Sequence, residues 1–371
     1  MIVGIPKEIK ADENRVAMTP AGVEVMKHHR HEILIEKQAG QASGFEDEDY
    51  RSAGAEIVDS PGDIFGRAEM ILRVKEPQPS EIAHLQEGQI YFSYLHLAAS
   101  EQLTLRLLET GSINIAYETI QKDDGTLPLL MPMSEVAGAM AIQEGAKYLE
   151  MAQGGNGVLL GGVPGVEPAT VVIIGGGVVG SNAAKMASGL GANVYVLDID
   201  LERLRYLSDV MPANCFIGMS SPAAIRDLVV KADVVVGAAL VPGARTPVLV
   251  SRDALKTMKR GSVVVDVSID QGGCFESSRE TTHRRPTYVL DGIVHYAVSN
   301  MPGALPRTAS LALTNATLPY VLEMAEQGWK KALRENSAFR RGANVVKGKV
   351  TFKGVADALN LEFTPIEDII G

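Results

Sequence analysis

The segment VVIIGGGVVGSNAAKMASGLGANVYVLDID, which starts at Val171, constrains the fold more than any other stretch of the chain. Its β-branched opening at 171–174 reads as a buried strand, 178–190 as a helix, and 193–198 as a second strand. Two strands joined through a helix of that length run parallel, and a parallel sheet needs helices on both faces. Gly175, Gly177 and Gly180 occupy the GxGxxG spacing between strand and helix, followed in the helix by Val178 and Val179. In this arrangement the first glycine makes the tight turn, the second lets a diphosphate approach the backbone, and the third lets helix pack on strand. The diphosphate then faces the unpaired N–H groups at the positive helix end. Asp198 closes the following strand, where a carboxylate accepts hydrogen bonds from both ribose hydroxyls and repels the 2′-phosphate of NADP. NAD is therefore the expected cofactor, although Arg203, five residues on, would lie near the adenosine.

The same α/β rhythm runs through the rest of the chain. Before the glycine turn, strands are expected at 2–5, 33–36, 70–74, 90–95 and 113–119, with helices at 21–29, 47–53 and 100–110. After it, strands are expected at 234–239 and 262–268, with helices at 222–231 and 252–258. The glycine share, 37 of 371 residues, exceeds the roughly 7% of average proteins, and the segment 151–168, MAQGGNGVLLGGVPGVEP, reads as a loop into the second α/β unit. Past Pro306 the pattern turns helical, with Leu318, Val321, Leu322, Ala325, Trp329, Ala332 and Leu333 on one face. This helix is expected to cross back and complete the first domain. The predicted organisation is α/β with two Rossmann-like domains and parallel sheets. Residues 1–129 and 307–371 form a discontinuous substrate domain completed by C-terminal helices, and 130–306 form the NAD-binding domain.

Composition removes several classes of function. Thirty-five basic against 45 acidic side chains give a net charge of −10, which disfavours a nucleic-acid backbone as partner. Two cysteines, Cys215 and Cys274, make neither a disulfide framework nor a thiolate metal site. The opening MIVGIPKEIK is strand-like rather than a signal peptide. No apolar run approaches the ~20 residues of a membrane span. A cytoplasmic protein without membrane contact is expected. The cluster His28-His29-Arg30-His31 sits where a helix ends and reads as favourable to its dipole rather than as a metal site.

Three features in the first domain lie just past predicted strands. These are Glu8, Asn14 and Arg15 in IPKEIKADENRVAMTP, Lys75 in MILRVKEP, and His96 in IYFSYLHLA. Ligands of open α/β sheets bind beyond the carboxyl ends of strands. Arginine and lysine together suit a carboxylate, one as a bidentate fork and the other as a point charge. A histidine suits proton transfer to or from a carbonyl or amino group. In the second domain Asp270 ends SVVVDVSID, with Asp266 as a competitor that alternates among valines and reads as structural. The segment HYAVSNMPGALP brings Asn300 and Met301 to another strand end, within reach of a nicotinamide.

Taken together, MIVGIPKEIKADENRVAMTP, RVKEP, YLHLA, GGGVVG with Asp198, DVSIDQGG and VSNMPGALPRT resemble the bacterial L-alanine dehydrogenase family over essentially the whole chain. The alpha subunit of proton-translocating transhydrogenase shares the opening and the glycine turn, but needs no substrate site in the first domain. The resemblance implies reversible oxidative deamination of L-alanine to pyruvate and ammonium with NAD. It implies that Arg15 and Lys75 hold the substrate carboxylate and that His96 and Asp270 donate or accept protons. The implied cofactor contacts are Ser134, Val178, Asp198, Arg203, Ser220, Ala239, Leu240, Val267, Ser268, Ile269, Asp270, Arg279, Val298, Ser299, Asn300 and Met301. A homohexamer is implied too. Some members hold magnesium through a Glu and a His one turn apart on the long C-terminal helix; here Gln327 follows Glu323, so no metal is expected. The alternatives are a transhydrogenase-like hydride carrier and a non-catalytic NAD-sensing protein.

Overall fold

The computed structural model describes residues 1–239 and 246–371. Its strands, in chain order, are β1 (Ile2–Ile5), β2 (Glu32–Glu36), β3 (Glu56–Val58), β4 (Met70–Leu72), β5 (Ile90–Ser93), β6 (Ile113–Ala116), β7 (Thr170–Ile174), β8 (Asn193–Asp198), β9 (Cys215–Met219), β10 (Val234–Gly237), β11 (Val263–Asp266), β12 (Thr287–Leu290), β13 (Ile293–Tyr296), β14 (Ala343–Val346) and β15 (Lys349–Val350). The chain divides into two compact units, Met1–Met133 with Leu305–Gly371, and Ser134–Ala304.

The first unit is built on an eight-stranded sheet of order β15-β14-β6-β5-β4-β1-β2-β3. From β1 to β6 all neighbours pair in parallel. Helices therefore cover both faces, and successive residues of one strand enter different cores. In β4, Met70 and Leu72 belong to one buried cluster and Ile71 to the other. The C-terminal segment contributes more than the expected helices. β14 adds to β6 antiparallel and β15 to β14, so the sheet is mixed. The helix Pro306–Gln327 ends at Gly328, whose φ of 78° breaks it before the next helix, Trp329–Glu335. The expected apolar face spans that break. Val321, Ala332 and Leu333 are fully buried, and Leu318, Leu322, Ala325 and Trp329 pack against the same cluster.

The second unit carries a seven-stranded sheet of order β12-β13-β11-β10-β7-β8-β9. All pairs are parallel except the edge hairpin β12–β13. Val172, Ile174, Val235 and Val264 fill the core on one face. In both sheets the chain reverses direction of travel beside the first strand, at β1/β4 and at β7/β10. Such reversals open the crevice in which α/β sheets bind ligands.

Candidate active site

In the second unit the reversal falls at the glycine turn. β7 delivers Gly175 with φ 104°, and a Cβ there would meet Ala238 O at 2.6 Å and Ala239 N at 2.8 Å. Gly180, in the helix Val178–Gly189, passes so close that a Cβ would lie 1.8 Å from Gly175 O. Both glycines are thus fixed by the protein's own packing. Gly177 differs, because a Cβ there would meet nothing within 4 Å. The open space above Gly177, at the N-terminus of a twelve-residue helix, is where a diphosphate fits. Asp198 braces the turn, with Oδ2 accepting from Gly176 N at 2.6 Å and Oδ1 from Asp200 N at 2.9 Å. Arg203 donates through Nε to Gly176 O at 2.6 Å and through Nη2 to Gly177 O at 3.3 Å. Ser220 N donates to Asp198 O at 2.8 Å.

The other expected cofactor contacts in this unit gather at the ends of β10, β11 and β13. Val267 N donates to Gly237 O at 3.0 Å, and Ser268 Oγ to Ala239 O at 2.6 Å, tying two strand ends together. Leu240 lies outside the described residues. β11 stops at Asp266, and Asp270 follows on the short 3₁₀ turn Ile269–Gln271, exposed, with its Oδ2 3.5 Å from Asn300 N. Asp266, the alternative, is buried and accepts from Ser268 N, Cys274 N and Ser278 Oγ, a structural role. Asn300 takes a left-handed φ of 56°, between half-buried Ser299 and buried Met301. Val298 is buried and bridges to Thr281. Arg279 lies elsewhere on this surface, its guanidinium 4.1 Å from the Tyr288 ring centroid. Ser134 sits in the first turn of the helix Met131–Tyr148, which the sequence reading missed.

In the first unit the reversal gathers charge. Arg15 follows β1 and is 2% exposed; its Nε donates to Glu13 Oε1 at 2.7 Å, its Nη2 to Glu13 Oε2, and its Nη1 points at Met133 Sδ, 3.0 Å away. Glu13 is equally buried. Burial alone would raise its carboxyl, but the Arg15 hydrogen bonds and charge outweigh it and hold the pKa down at about 2. Lys75 follows β4. Burial and the nearby Arg15 charge both lower its pKa, so Arg15 and Lys75 act on a common space. Among the described residues the Lys75 ammonium makes no hydrogen bond or ion pair, while its backbone carbonyl accepts from the Tyr91 hydroxyl at 3.3 Å. An anion placed between the two would relieve their mutual repulsion.

His96 follows β5. Its ring is exposed and stacks on Tyr94, with centroids 6.2 Å apart and planes 14° apart. Tyr94 is buried and donates its hydroxyl to Leu129 O at 2.5 Å. The Tyr94 phenol and Arg15 interact electrostatically, which joins the histidine side of the cluster to the arginine side. The first unit therefore brings Arg15, Lys75 and His96 beyond the carboxyl ends of three adjacent strands, β1, β4 and β5.

Sequence reasoning named Arg15, Lys75, His96 and Glu8 and missed Glu13, Arg73 and Glu118. Glu13 was not singled out. Arg73, fully buried one strand-end residue before Val74, pairs with Glu8 at 3.0 Å and with Glu81. Glu8 also accepts Val74 N at 2.7 Å, fixing the backbone that leads into Lys75. Its carboxyl is pushed up by burial against the pull of Arg73. Glu118, after β6, accepts the backbone N–H groups around His96. Glu118 fell inside the strand expected at 113–119, whereas β6 ends at Ala116 and Glu118 stands on the following 3₁₀ turn, and Glu13 was one of several acidic residues in its loop. Away from the site, Glu323 accepts from Gln327 Nε2 at 3.5 Å and Asn336 Nδ2 at 3.1 Å, and no metal-ligand cluster occurs among the described residues. No described helix is long and apolar enough to cross a membrane.

The comparisons with known proteins concern the family and the fold. Residues 4–137 match the alanine dehydrogenase/PNT N-terminal domain, and residues 141–353 match the alanine dehydrogenase/PNT C-terminal domain. Alanine dehydrogenase of Methanococcus maripaludis is 55% identical over 368 residues, 99% of each chain. That of Bacillus subtilis is 52% identical, covering 99% of this chain and 97% of its own. A solved L-alanine dehydrogenase superposes with a TM-score of 0.94 at 49% identity, over 97% of this chain and 99% of that one. The transhydrogenase of Sinorhizobium meliloti shares the fold, with a TM-score of 0.81 at 24% identity over 95% of this chain and 99% of its own. With the glycine turn in one unit and the Arg15, Lys75 and His96 cluster in the other, the chain belongs to the alanine dehydrogenase/PNT family.

Proposed function

We propose that the chain catalyses the reversible oxidative deamination of L-alanine, in which L-alanine, NAD⁺ and water give pyruvate, ammonium, NADH and a proton. The observation that carries this reading is the Arg15 and Lys75 pair at the β1/β4 reversal, in a chain whose full-length relatives bear the name alanine dehydrogenase. Two cations of different shape fit one carboxylate. The fork of Arg15 is held by Glu13, and Lys75 supplies a point charge whose burial disfavours its charge until an anion arrives.

Clamping the carboxylate at two points fixes the direction of the Cα–H bond. Gly175, Gly177 and Gly180 would hold the diphosphate of NAD and Asp198 its ribose, and the bound cofactor would supply the acceptor for the hydride that leaves Cα. His96 and Asp270 then serve as proton donor or acceptor while water adds to the iminium carbon and ammonia leaves the carbinolamine. Asn300 and Met301 lie on the nicotinamide side, with Ser134, Val178, Arg203, Ser220, Ala239, Ser268 and Arg279 as further cofactor contacts. A cytoplasmic location and a homohexameric assembly belong to the same reading.

The test is absorbance at 340 nm with pyruvate, ammonium and NADH, and in reverse with L-alanine and NAD. Oxidation of NADH is expected only when ammonium is present, and NADPH is expected to be a poor substitute because Asp198 repels a 2′-phosphate. NADH binding without ammonium-dependent turnover would instead describe a hydride carrier or a sensing protein.

A further inference from the structure

His96 stands in a backbone conformation that is uncommon outside glycine. Its φ of 50° and ψ of 37° are left-handed, a region that a non-glycine residue keeps where its surroundings hold it. The enforcement comes from the neighbouring strand end. β6 pairs with β5 in parallel, Ser93 opposite Ala116, so the 3₁₀ turn Tyr117–Thr119 emerges beside the segment that carries His96. Glu118 on that turn accepts His96 N at 2.6 Å and Leu95 N at 3.1 Å through Oε1, and Leu95 N again at 3.2 Å through Oε2. Two successive N–H groups converging on one anion form a backbone concavity of the kind that binds anions elsewhere in proteins. Here the anion is built into the chain.

The ring itself has no comparable hold. Among the described residues neither imidazole nitrogen has a hydrogen-bond partner, and the ring touches Tyr94 only by stacking. Its direction is therefore set from below, by the left-handed backbone that Glu118 maintains. An extended His96 would swing its Cβ to another side of the strand end.

We infer that Glu118 is a positioning residue of the reaction, its carboxylate clamping the backbone of Leu95 and His96 and thereby aiming the imidazole. The inference rests on the reading of His96 as the proton donor or acceptor. It also makes a distinction that charge alone would not. Oε1 by itself accepts both N–H groups, so a glutamine keeps the essential clamp without the charge. An aspartate keeps the charge but is one methylene too short to reach.

The experiment compares the full-length parent with E118Q, E118D, E118A, H96A and the E118A/H96A double variant. It reads kcat and KM for pyruvate, NADH affinity by fluorescence, and thermal melting. E118Q is expected within about 3-fold of the parent kcat, while E118D and E118A lose about 10- to 100-fold, the scale of a misaimed catalytic group. NADH affinity is expected to stay within about 2-fold throughout, since the clamp belongs to the first unit and the glycine turn to the second. The double variant is expected to be no slower than H96A. E118D and E118Q carry the comparison should E118A fail to fold. Parental kcat in E118D beside an inactive E118Q, or a double variant that loses the product of the two single effects, overturns the positioning role. Parental kcat in H96A overturns the reading of His96 itself, a separate result.

Discussion

The glycine turn and the charged cluster prepare their units for ligands by opposite means. At the turn the chain removes side chains, and the space Gly177 leaves open is bounded by two glycines that packing alone requires. At the cluster the chain crowds side chains together. Arg15 and Glu13 pair with almost no exposure, and Arg73 is flanked by Glu8 and Glu81 in the same buried layer. Backbone N–H groups are part of every residue and need only be uncovered. The Arg15 and Arg73 guanidinium groups are taken out of water, so each demands a partner whose loss would be felt. The turn should therefore break sterically and the cluster electrostatically.

The largest effect is expected at Gly180. A Cβ at this position falls 1.8 Å from the Gly175 carbonyl oxygen, and neither backbone can give way without unpacking helix from strand. Gly180→Ala should destabilise the second unit by upwards of about 3 kcal/mol, at or beyond the top of the usual range for overpacking. Urea denaturation followed by tryptophan-independent circular dichroism measures it. A midpoint equal to the parent's would mean that the turn is not sterically determined and would dissolve the contrast with the cluster.

Next comes the Glu13 and Arg15 pair. Glu13 has its pKa held at about 2, below its ordinary 4.5, so it binds fewer protons folded than unfolded at intermediate pH. The stability it contributes is fully present above about pH 4.5 and is lost as pH falls toward 2. Glu13→Gln should cost about 2 kcal/mol at pH 7, the worth of a hydrogen bond to a charged group, and the gap to the parent should close across that acid window. Denaturation curves at pH 7, 5, 4 and 3 decide the matter. A gap that stays constant with pH would show that the pair does not titrate and that steric fit governs the cluster too.

The same contrast explains what could be read in advance. GxGxxG was legible because no other residue replaces a glycine that meets backbone at 1.8 Å, so spacing alone encodes the geometry. Arg15, Lys75 and His96 were legible as residue types at strand ends, since the parallel order of β1, β4 and β5 follows from the strand and helix rhythm. Their partners were not. Glu8 stood out beside Arg15, but its pairing with Arg73 did not, and Glu13 and Glu118 reach the cluster through strand neighbours and loop geometry, which a linear sequence does not display. The edges suffered for a related reason. β9 is largely half-exposed and β14 attaches from more than two hundred residues away in sequence, antiparallel to β6, so neither carries the continuous apolar run that marks a buried parallel strand. The helices Met131–Tyr148 and Leu201–Val210 were missed as well. The first opens with MPMSEVAGAM and has apolar residues on several sides, and the second is rich in charge.

The smallest folding effect is expected three residues before Gly180, and it is the sharpest test of what the turn is for. Gly177 has φ −63° and ψ −159°, backbone that an alanine adopts without strain, and a Cβ would meet nothing within 4 Å. Replacing glycine with alanine reduces the freedom of the unfolded chain, a gain of about 0.4–1 kcal/mol. Gly177 is also the N-cap of its helix, where alanine is the poorer choice by an amount of similar size. The two terms oppose each other, so Gly177→Ala should fold within about 0.5 kcal/mol of the parent. Binding is another matter, because the added methyl projects into the space that a diphosphate would occupy at the helix N-terminus. NADH affinity should fall by about 10-fold or more, as expected for about 1.4 kcal/mol of lost contact, while the melting temperature without NADH hardly moves. If affinity and folding both stay at parental values, the open space over Gly177 is not the diphosphate site. If both fall together, Gly177 is a packing glycine like Gly180, and the division of the turn into structural and ligand-facing glycines fails.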